Sequence, residues 1–186
     1  MSLFVAIVPS ATAIEDLEGR VQAVQRSREG CDLRWQPSDR WHVTMAFLGE
    51  QDDDADEVIA ERLDGIAVGC SGPLLRIRGS GAFGRQVLWA GIEGANAGDA
   101  TAFADLAQVI HSTLRRIGFP LERRPWRPHL TLARSRGGDA RPAAALLETY
   151  SGPGWRVGEL LAVRSQGGPA PVHTVIHRSP LAQPAS

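Results

Sequence analysis

No lysine occurs in the 186 residues, so all 20 basic side chains are arginine. That excludes every reading that needs a lysine, the Gly-x-x-x-x-Gly-Lys phosphate loop first among them. An arginine-only composition is most simply a GC-rich coding bias. Cysteine is nearly absent too: Cys31 and Cys70 stand far apart with no paired spacing, which supports neither a zinc site nor a disulfide framework. The cytoplasm is the expected compartment. No apolar run approaches the roughly 20 residues that a membrane helix needs. The opening Leu3-Phe-Val-Ala-Ile-Val-Pro9 is preceded by no basic segment, and reads as a first strand rather than a signal peptide. There is no Gly-x-Ser-x-Gly string and no plausible Cys–His pairing for nucleophilic hydrolysis. The net charge of −1 gives no whole-molecule field toward nucleic acid.

What is present is an ordinary globular composition, 43% hydrophobic and 22% charged, long enough for one domain over residues 1–186. Charge is unevenly placed. Arg115 to Arg141 holds eight arginines against Glu122 and Asp139, whereas Gly49 to Glu61 holds seven acids and no base. The first stretch is suited to phosphate and the second reads as a solvated acidic face.

Hydrophobic period outlines the elements. Strands are expected at Leu3–Val8, Leu33–Trp35, Trp41–Leu48, Leu74–Arg78, Val87–Ile92, Leu130–Ala133, Val157–Arg164 and Val172–His177. Thr12 followed by Glu15 reads as a capping box ahead of the helical Ile14, Leu17, Val21 and Val24. Further helices are expected at Asp52–Gly65, Thr101–Ile117 and Ala143–Tyr150. Each half of the chain then runs strand, helix, histidine-bearing strand, helix, strand. That order predicts an α+β protein of two similar lobes facing one cleft, with Gly94–Gly98 as the loop between them.

The chemistry sits in two short strings, His42-Val-Thr-Met45 and His129-Leu-Thr-Leu132. Side chains alternate along a strand, so His42 and Thr44 share one face, as do His129 and Thr131, while the apolar residues between them face the core. The chain has only five histidines and seven threonines, so a matched pair of such strings carries weight. Histidine titrates near neutrality, and one neutral and one protonated imidazole make an acid–base pair. Threonine hydroxyls between them can donate to anionic oxygens. The combination fits metal-free phosphodiester chemistry, for which a strained 2′,3′-cyclic phosphate is a good substrate. Zinc would require further ligands near each histidine, and threonine occupies that place. By the same alternation Phe47 is expected in the core. Trp41 and Trp126 are read as packing residues, His111 as a helix residue, and His173 and His177 as sharing one face of the last strand.

These strings, taken with their surroundings, resemble the 2H phosphoesterase superfamily, and within it the LigT-like RNA 2′,3′-cyclic phosphodiesterases, formerly called 2′-5′ RNA ligases. The resemblance rests on Leu3–Pro9, on Arg34-Trp-Gln-Pro-Ser-Asp-Arg-Trp-His-Val-Thr-Met-Ala-Phe-Leu-Gly-Glu50, on Val87-Leu-Trp-Ala-Gly-Ile92 and on Arg127-Pro-His-Leu-Thr-Leu-Ala-Arg134. It implies a bilobal pseudo-symmetric fold with two antiparallel sheets flanking a central cleft and helices outside. It also implies hydrolysis of RNA 2′,3′-cyclic phosphate ends to 2′-phosphate ends without metal or cofactor, with 2′-5′ ligation as a minor reverse reaction. On this resemblance His42 and His129 are the acid–base pair, His129 activating water and His42 protonating the departing 3′ oxygen. Thr44 and Thr131 bind phosphate oxygens, and Arg134 and Arg127 are possible substrate contacts. The expected partner is RNA bearing a 2′,3′-cyclic phosphate terminus, met by a monomer with no membrane association. The alternatives are a phosphodiesterase for a small cyclic-phosphate nucleotide and a non-catalytic nucleotide- or RNA-binding module. One departure stands out: after Ser165 and a glycine-rich turn stiffened by Pro169 and Pro171, His173 stands where the family often has Tyr.

Overall fold

A computed structural model describes residues 1–122, 125–167 and 171–182. Arg123 and Arg124 of the arginine-rich stretch and Pro169 of the glycine-rich turn, all part of the reading above, lie outside the described residues. In chain order the elements are β1 (Ser2–Ile7), α1 (Ala11–Gln25), β2 (Leu33–Trp35), β3 (Val43–Glu50), α2 (Ala55–Gly69), β4 (Leu74–Phe83), β5 (Val87–Gly94), α3 (Ala97–Arg116), β6 (His129–Ser135), α4 (Arg141–Ala145), β7 (Ser151–Arg156), β8 (Glu159–Gln166) and β9 (Val172–Pro180).

Hydrogen bonding links the strands in the order β7-β4-β5-β6-β3-β1-β8-β9, every neighbour antiparallel, with β2 added along β6. The middle of that order is thin. β3 and β6 meet at one residue pair, Val43 opposite Leu130. A five-stranded antiparallel sheet (β7, β4, β5, β6 and β2) and a four-stranded one (β3, β1, β8 and β9) therefore diverge from a single seam, and the two histidine strings sit at the seam.

The chain repeat is real, but its lobes are not its halves. β1, α1, β3, α2, β4 is followed by β5, α3, β6, α4, β8, with β7 inserted in the second set. In each set the last strand joins the other lobe's sheet: β4 pairs β5, and β8 pairs β1. Gly94 to Gly98 consequently joins β5 to α3 rather than one lobe to the other. One continuous core runs beneath both sheets. It takes Leu17 and Val21 from α1, Ile59 and Leu63 from α2, and Phe103, Leu106, Ile110 and Leu114 from α3. The opposite face of β1 and β8 carries a smaller cluster of Phe4, Ala6, Leu161 and Val163. β1 is thus apolar on both faces, which is why it reads as an unbroken hydrophobic run.

Several boundaries differ from expectation for identifiable reasons. α1 is capped by Ser10, whose Oγ accepts from Ala13 N–H at 3.3 Å, while Thr12 already lies in the first turn. α3 begins four residues early because Asn96 caps it, accepting from Asp99 N–H at 3.0 Å. β4 continues past Arg78 because Gly79, at φ 63°, absorbs a register shift that would otherwise end the strand. α4 stops at Ala145 and the chain turns to Tyr150. β7 escaped the sequence reading because Gly152, Pro153 and Gly154 are poor strand formers. Such residues are tolerated at a sheet edge, where β7 lies.

The acidic stretch is not simply a solvated face. Arg164, 4% exposed, reaches from β8 into it. Its guanidinium donates to Asp56 and to the carbonyls of Gln51, Asp52 and Met1.

Candidate active site

His42 lies one residue before β3 and His129 opens β6, so the two imidazoles flank the seam. They are held alike. His42 Nδ1 lies 2.8 Å from the Arg40 carbonyl and His129 Nδ1 lies 2.7 Å from the Arg127 carbonyl. A carbonyl only accepts, so Nδ1 carries the proton in both rings and Nε2 holds the lone pair when the ring is neutral. Each ring is backed by a phenylalanine that the sequence reading did not single out. Phe4 stacks on His42 at 5.0 Å and Phe83 meets His129 edge-on at 4.8 Å.

Burial pulls both imidazoles below the usual histidine value, while the carbonyl bonds push the other way. For His42 the neighbouring His173 and His129 lower it further; for His129, Arg127 and Arg134 do so. The unliganded pair is therefore mostly neutral at neutral pH.

A cleft of about 820 Å³ brings His42, Thr44, His129 and Thr131 together. Among the described residues neither threonine hydroxyl forms a hydrogen bond within the protein, so both are available to a ligand. Among the described residues Arg34, Arg40 and Arg134 line the cleft, with Glu122 as the one carboxylate. Arg34 stands opposite Arg134 across β2 and β6. Arg127 instead lines an adjoining groove of about 790 Å³, which shares Thr44, Phe47, Glu122 and His129 with the cleft. Elsewhere in the arginine-rich stretch, Arg115 donates to the Glu122 carbonyl and Arg141 pairs with Asp139.

Phe47 is not a core residue. It is 49% exposed and lines the cleft. Val5 pairs with Ala46 and Ala6 with Thr44, so Met45 is an extra residue in β3, and the bulge reverses the alternation beyond it. β6 does the same. Leu88 pairs with Ala133 and Trp89 with Thr131, leaving Leu132 as the extra residue. Both strings therefore read histidine, apolar, threonine, bulge, apolar, cleft. Phe47 and Arg134, each five residues after its histidine, occupy equivalent places on the two walls.

The bulged backbone is held from outside. Trp126 Nε1–H donates to the Thr44 carbonyl at 3.0 Å and His111 Nε2–H to the Met45 carbonyl at 2.6 Å. Trp41, 2% exposed, donates to the Gln36 carbonyl at 3.2 Å. His173 and His177 do not share a face. Ala162 pairs with His177 and Val163 with Val175, so Ile176 is an extra residue in β9. His173 reaches the cleft, whereas His177 bonds Asp64 of α2 at 2.8 Å. Among the described residues no three His, Cys, Asp or Glu side chains gather as metal ligands. Among the same residues no helix is long and apolar enough to cross a membrane.

Known proteins resemble this chain in sequence and in fold. The profile of the 2′-5′ RNA ligase superfamily matches residues 8–169. An RNA 2′,3′-cyclic phosphodiesterase of Geobacillus stearothermophilus is 26% identical over 153 residues, covering 79% of this chain and 47% of that protein. One of Aeropyrum pernix is 32% identical over 122 residues, covering 63% of this chain and 66% of that protein. The chain thus spans about half the length of the first relative and about two thirds of the second. The crystal structure of TT0787 of Thermus thermophilus superposes over all of both chains with a TM-score of 0.77 at 25% identity. That of E. coli LigT complexed with 3′-AMP superposes over 98% of both with a TM-score of 0.74 at 23% identity, a likeness of fold. With the family profile covering both His-x-Thr strings and the seam between them, this chain belongs to the 2′-5′ RNA ligase superfamily.

Proposed function

We propose that this protein hydrolyses the 2′,3′-cyclic phosphate at RNA ends to a 2′-phosphate, without metal, by the His42–His129 pair. The observation that carries the reading is the matched anchoring of two imidazoles by backbone carbonyls, each with Nε2 left for chemistry, in one cleft beside two unused threonine hydroxyls. The two relatives named as RNA 2′,3′-cyclic phosphodiesterases support it. His129 Nε2 takes a proton from water as its oxygen bonds to phosphorus. The bond from phosphorus to O3′ breaks, and protonated His42 gives its proton to O3′. The phosphate stays on O2′. Thr44 and Thr131 donate to the non-bridging oxygens as negative charge builds on them. Ligation is the same path reversed, with a 5′-hydroxyl in place of water, and is minor because water is in large excess.

Phe47 and Arg134 offer the terminal nucleobase an aromatic face from one wall and a guanidinium from the other. Phe47→Ala is expected to raise KM for the RNA about tenfold through lost stacking, with kcat nearly unchanged. A fall confined to kcat would remove Phe47 from the binding surface. A cleft of about 820 Å³ is also of nucleotide size, which favours mononucleotide 2′,3′-cyclic phosphates as additional substrates. One chain supplies every group invoked, and both cysteines are unpaired, in keeping with a reducing compartment such as the cytoplasm.

The test is hydrolysis of a short RNA ending in a 2′,3′-cyclic phosphate with EDTA present. A 2′-phosphate product at an undiminished rate is expected; a 3′-phosphate product or loss of activity on chelation overturns the scheme. Chemistry needs one ring neutral and one protonated, and both free-enzyme values lie below 6.5. The profile of kcat/KM against pH should therefore be a bell with its maximum on the acid side of 6.5. The kcat profile should lie at higher pH, because bound phosphate favours the protonated rings.

A further inference from the structure

β9 carries a third imidazole into the cleft. The His173 ring lies edge-on to His42 with centroids 5.2 Å apart, and edge-on to Phe4 at 5.4 Å. With Phe4 stacked on His42, the three rings close a triangle on one wall. The other four histidines are committed within the protein: His42 to the Arg40 carbonyl, His129 to the Arg127 carbonyl, His111 to the Met45 carbonyl and His177 to Asp64. Among the described residues His173 forms no hydrogen bond, so both its nitrogens are available to a ligand. The bulge at Ile176 separates it from His177 and keeps it on the cleft side.

Its surroundings decide which ligand. The turn before β3 presents Arg40 and the approach to β3 presents His42. β1 presents Phe4, and β8 presents Ser165, the residue paired with His173; neither is charged. Across the cleft stand Arg34, Arg134, His129 and Glu122, and Asp39 lies with Arg40 at the adjoining hollow. An unbonded imidazole among guanidiniums, beside an imidazole assigned to phosphate chemistry, is suited to an anionic oxygen.

Resting on the cyclic-phosphate reading above, we propose that His173 is a substrate- and product-binding residue whose imidazolium donates to a phosphate oxygen beside His42. A cyclic phosphate diester carries one negative charge, whereas the 2′-phosphate monoester approaches two near neutrality. The imidazolium therefore holds product more tightly than substrate, most of all at about pH 6, where the ring takes up its proton and the monoester, with a second pKa of about 6, still keeps much of its second charge. Product inhibition that is strongest at about pH 6 and fades on either side is built into this cleft.

The experiment measures calorimetric affinity for adenosine 2′-monophosphate in wild type, His173→Phe and His173→Ala at about pH 6 and about pH 8.5. Burial and Arg40 hold the free His173 imidazole below the usual histidine value, and a bound phosphate draws a proton onto it at the lower pH but not at the higher. Phenylalanine keeps the ring packing and removes the nitrogens. Both variants are expected to bind about tenfold more weakly at the lower pH, the worth of one charge-assisted hydrogen bond, and within about twofold of wild type at the higher. His173→Phe binding like wild type at the lower pH overturns the proposal. So does an equal loss at both pH values, or wild type failing to bind at the lower one. Turnover of a cyclic phosphate is followed alongside. Binding as expected with no turnover defeats the hydrolase reading and leaves the His173 assignment standing, whereas turnover with an unaltered His173→Phe defeats the assignment alone.

Discussion

His129→Ala is expected to lower kcat for an RNA 2′,3′-cyclic phosphate on the order of 10³-fold, and His42→Ala by a similar amount, since each removes one proton-transfer partner. The double variant should be at most about tenfold worse than the poorer single, because a base without its acid gains little. The leaving group separates the two roles. Bis(4-nitrophenyl) phosphate releases a phenolate that needs no proton, so with it His42→Ala should recover to within about tenfold of wild type while His129→Ala stays impaired. Recovery of His129→Ala instead would exchange the assigned roles. Equal impairment of both on both substrates would remove the division into acid and base. Neither substitution leaves a large enclosed cavity, because the cleft beside Arg40 and the groove beside Arg127 are both open to solvent. Unchanged thermal unfolding is the accompanying control.

Arg164→Ala is expected to be the most damaging substitution for stability. The Arg164 side chain is buried, and it satisfies Asp56 together with the carbonyls of Gln51, Asp52 and Met1. Truncation leaves those acceptors without their donor, a loss of about 3–5 kcal/mol, or a melting temperature lower by about 10 °C for a chain of this size. Arg164→Lys should recover only part of the loss, because one ammonium cannot reach a carboxylate and three carbonyls at once. Urea unfolding, with the slope unchanged, is the measurement. A loss below about 1 kcal/mol would mean that water takes over the acceptors and that the clamp contributes little.

The paired histidine strings were legible because a two-residue period and its repetition both survive in the linear chain. The lobes were half legible. The order of elements shows the repeat, but nothing local says that β4 and β8 cross to the other sheet, since that choice is made by long-range pairing. Bulges were invisible for a simpler reason. Met45, Leu132 and Ile176 are apolar like the inward residues beside them, so an extra residue leaves no mark on the hydrophobic pattern. Each bulge reverses the faces beyond it. That hid Phe47 from the cleft and joined His173 wrongly to His177. Arg34 and Arg40 were overlooked because the count favoured the denser stretch from Arg115 to Arg141, and density in sequence is not proximity in space. For Arg164 a signal existed: a lone arginine ending an apolar strand, and an acidic stretch without a base elsewhere in the chain.

The exchange of strands between the lobes has a consequence for how the protein comes into being on the ribosome. β1, residues 2–7, pairs with β8, residues 159–166, so a contact made by the first strand waits for nearly the whole chain to be synthesised. Until then β1, apolar on both faces, has an open edge, and the sheet of β3, β1, β8 and β9 cannot close, although β4 to β7 of the other sheet are already made. Folding is correspondingly late and slow, governed by closure of the longest loop in the molecule. The nascent chain is exposed to edge-to-edge association for the whole of that interval. The wall formed by Phe4, His42 and His173 is among the last parts to assemble, because it draws on β1 and β9 together.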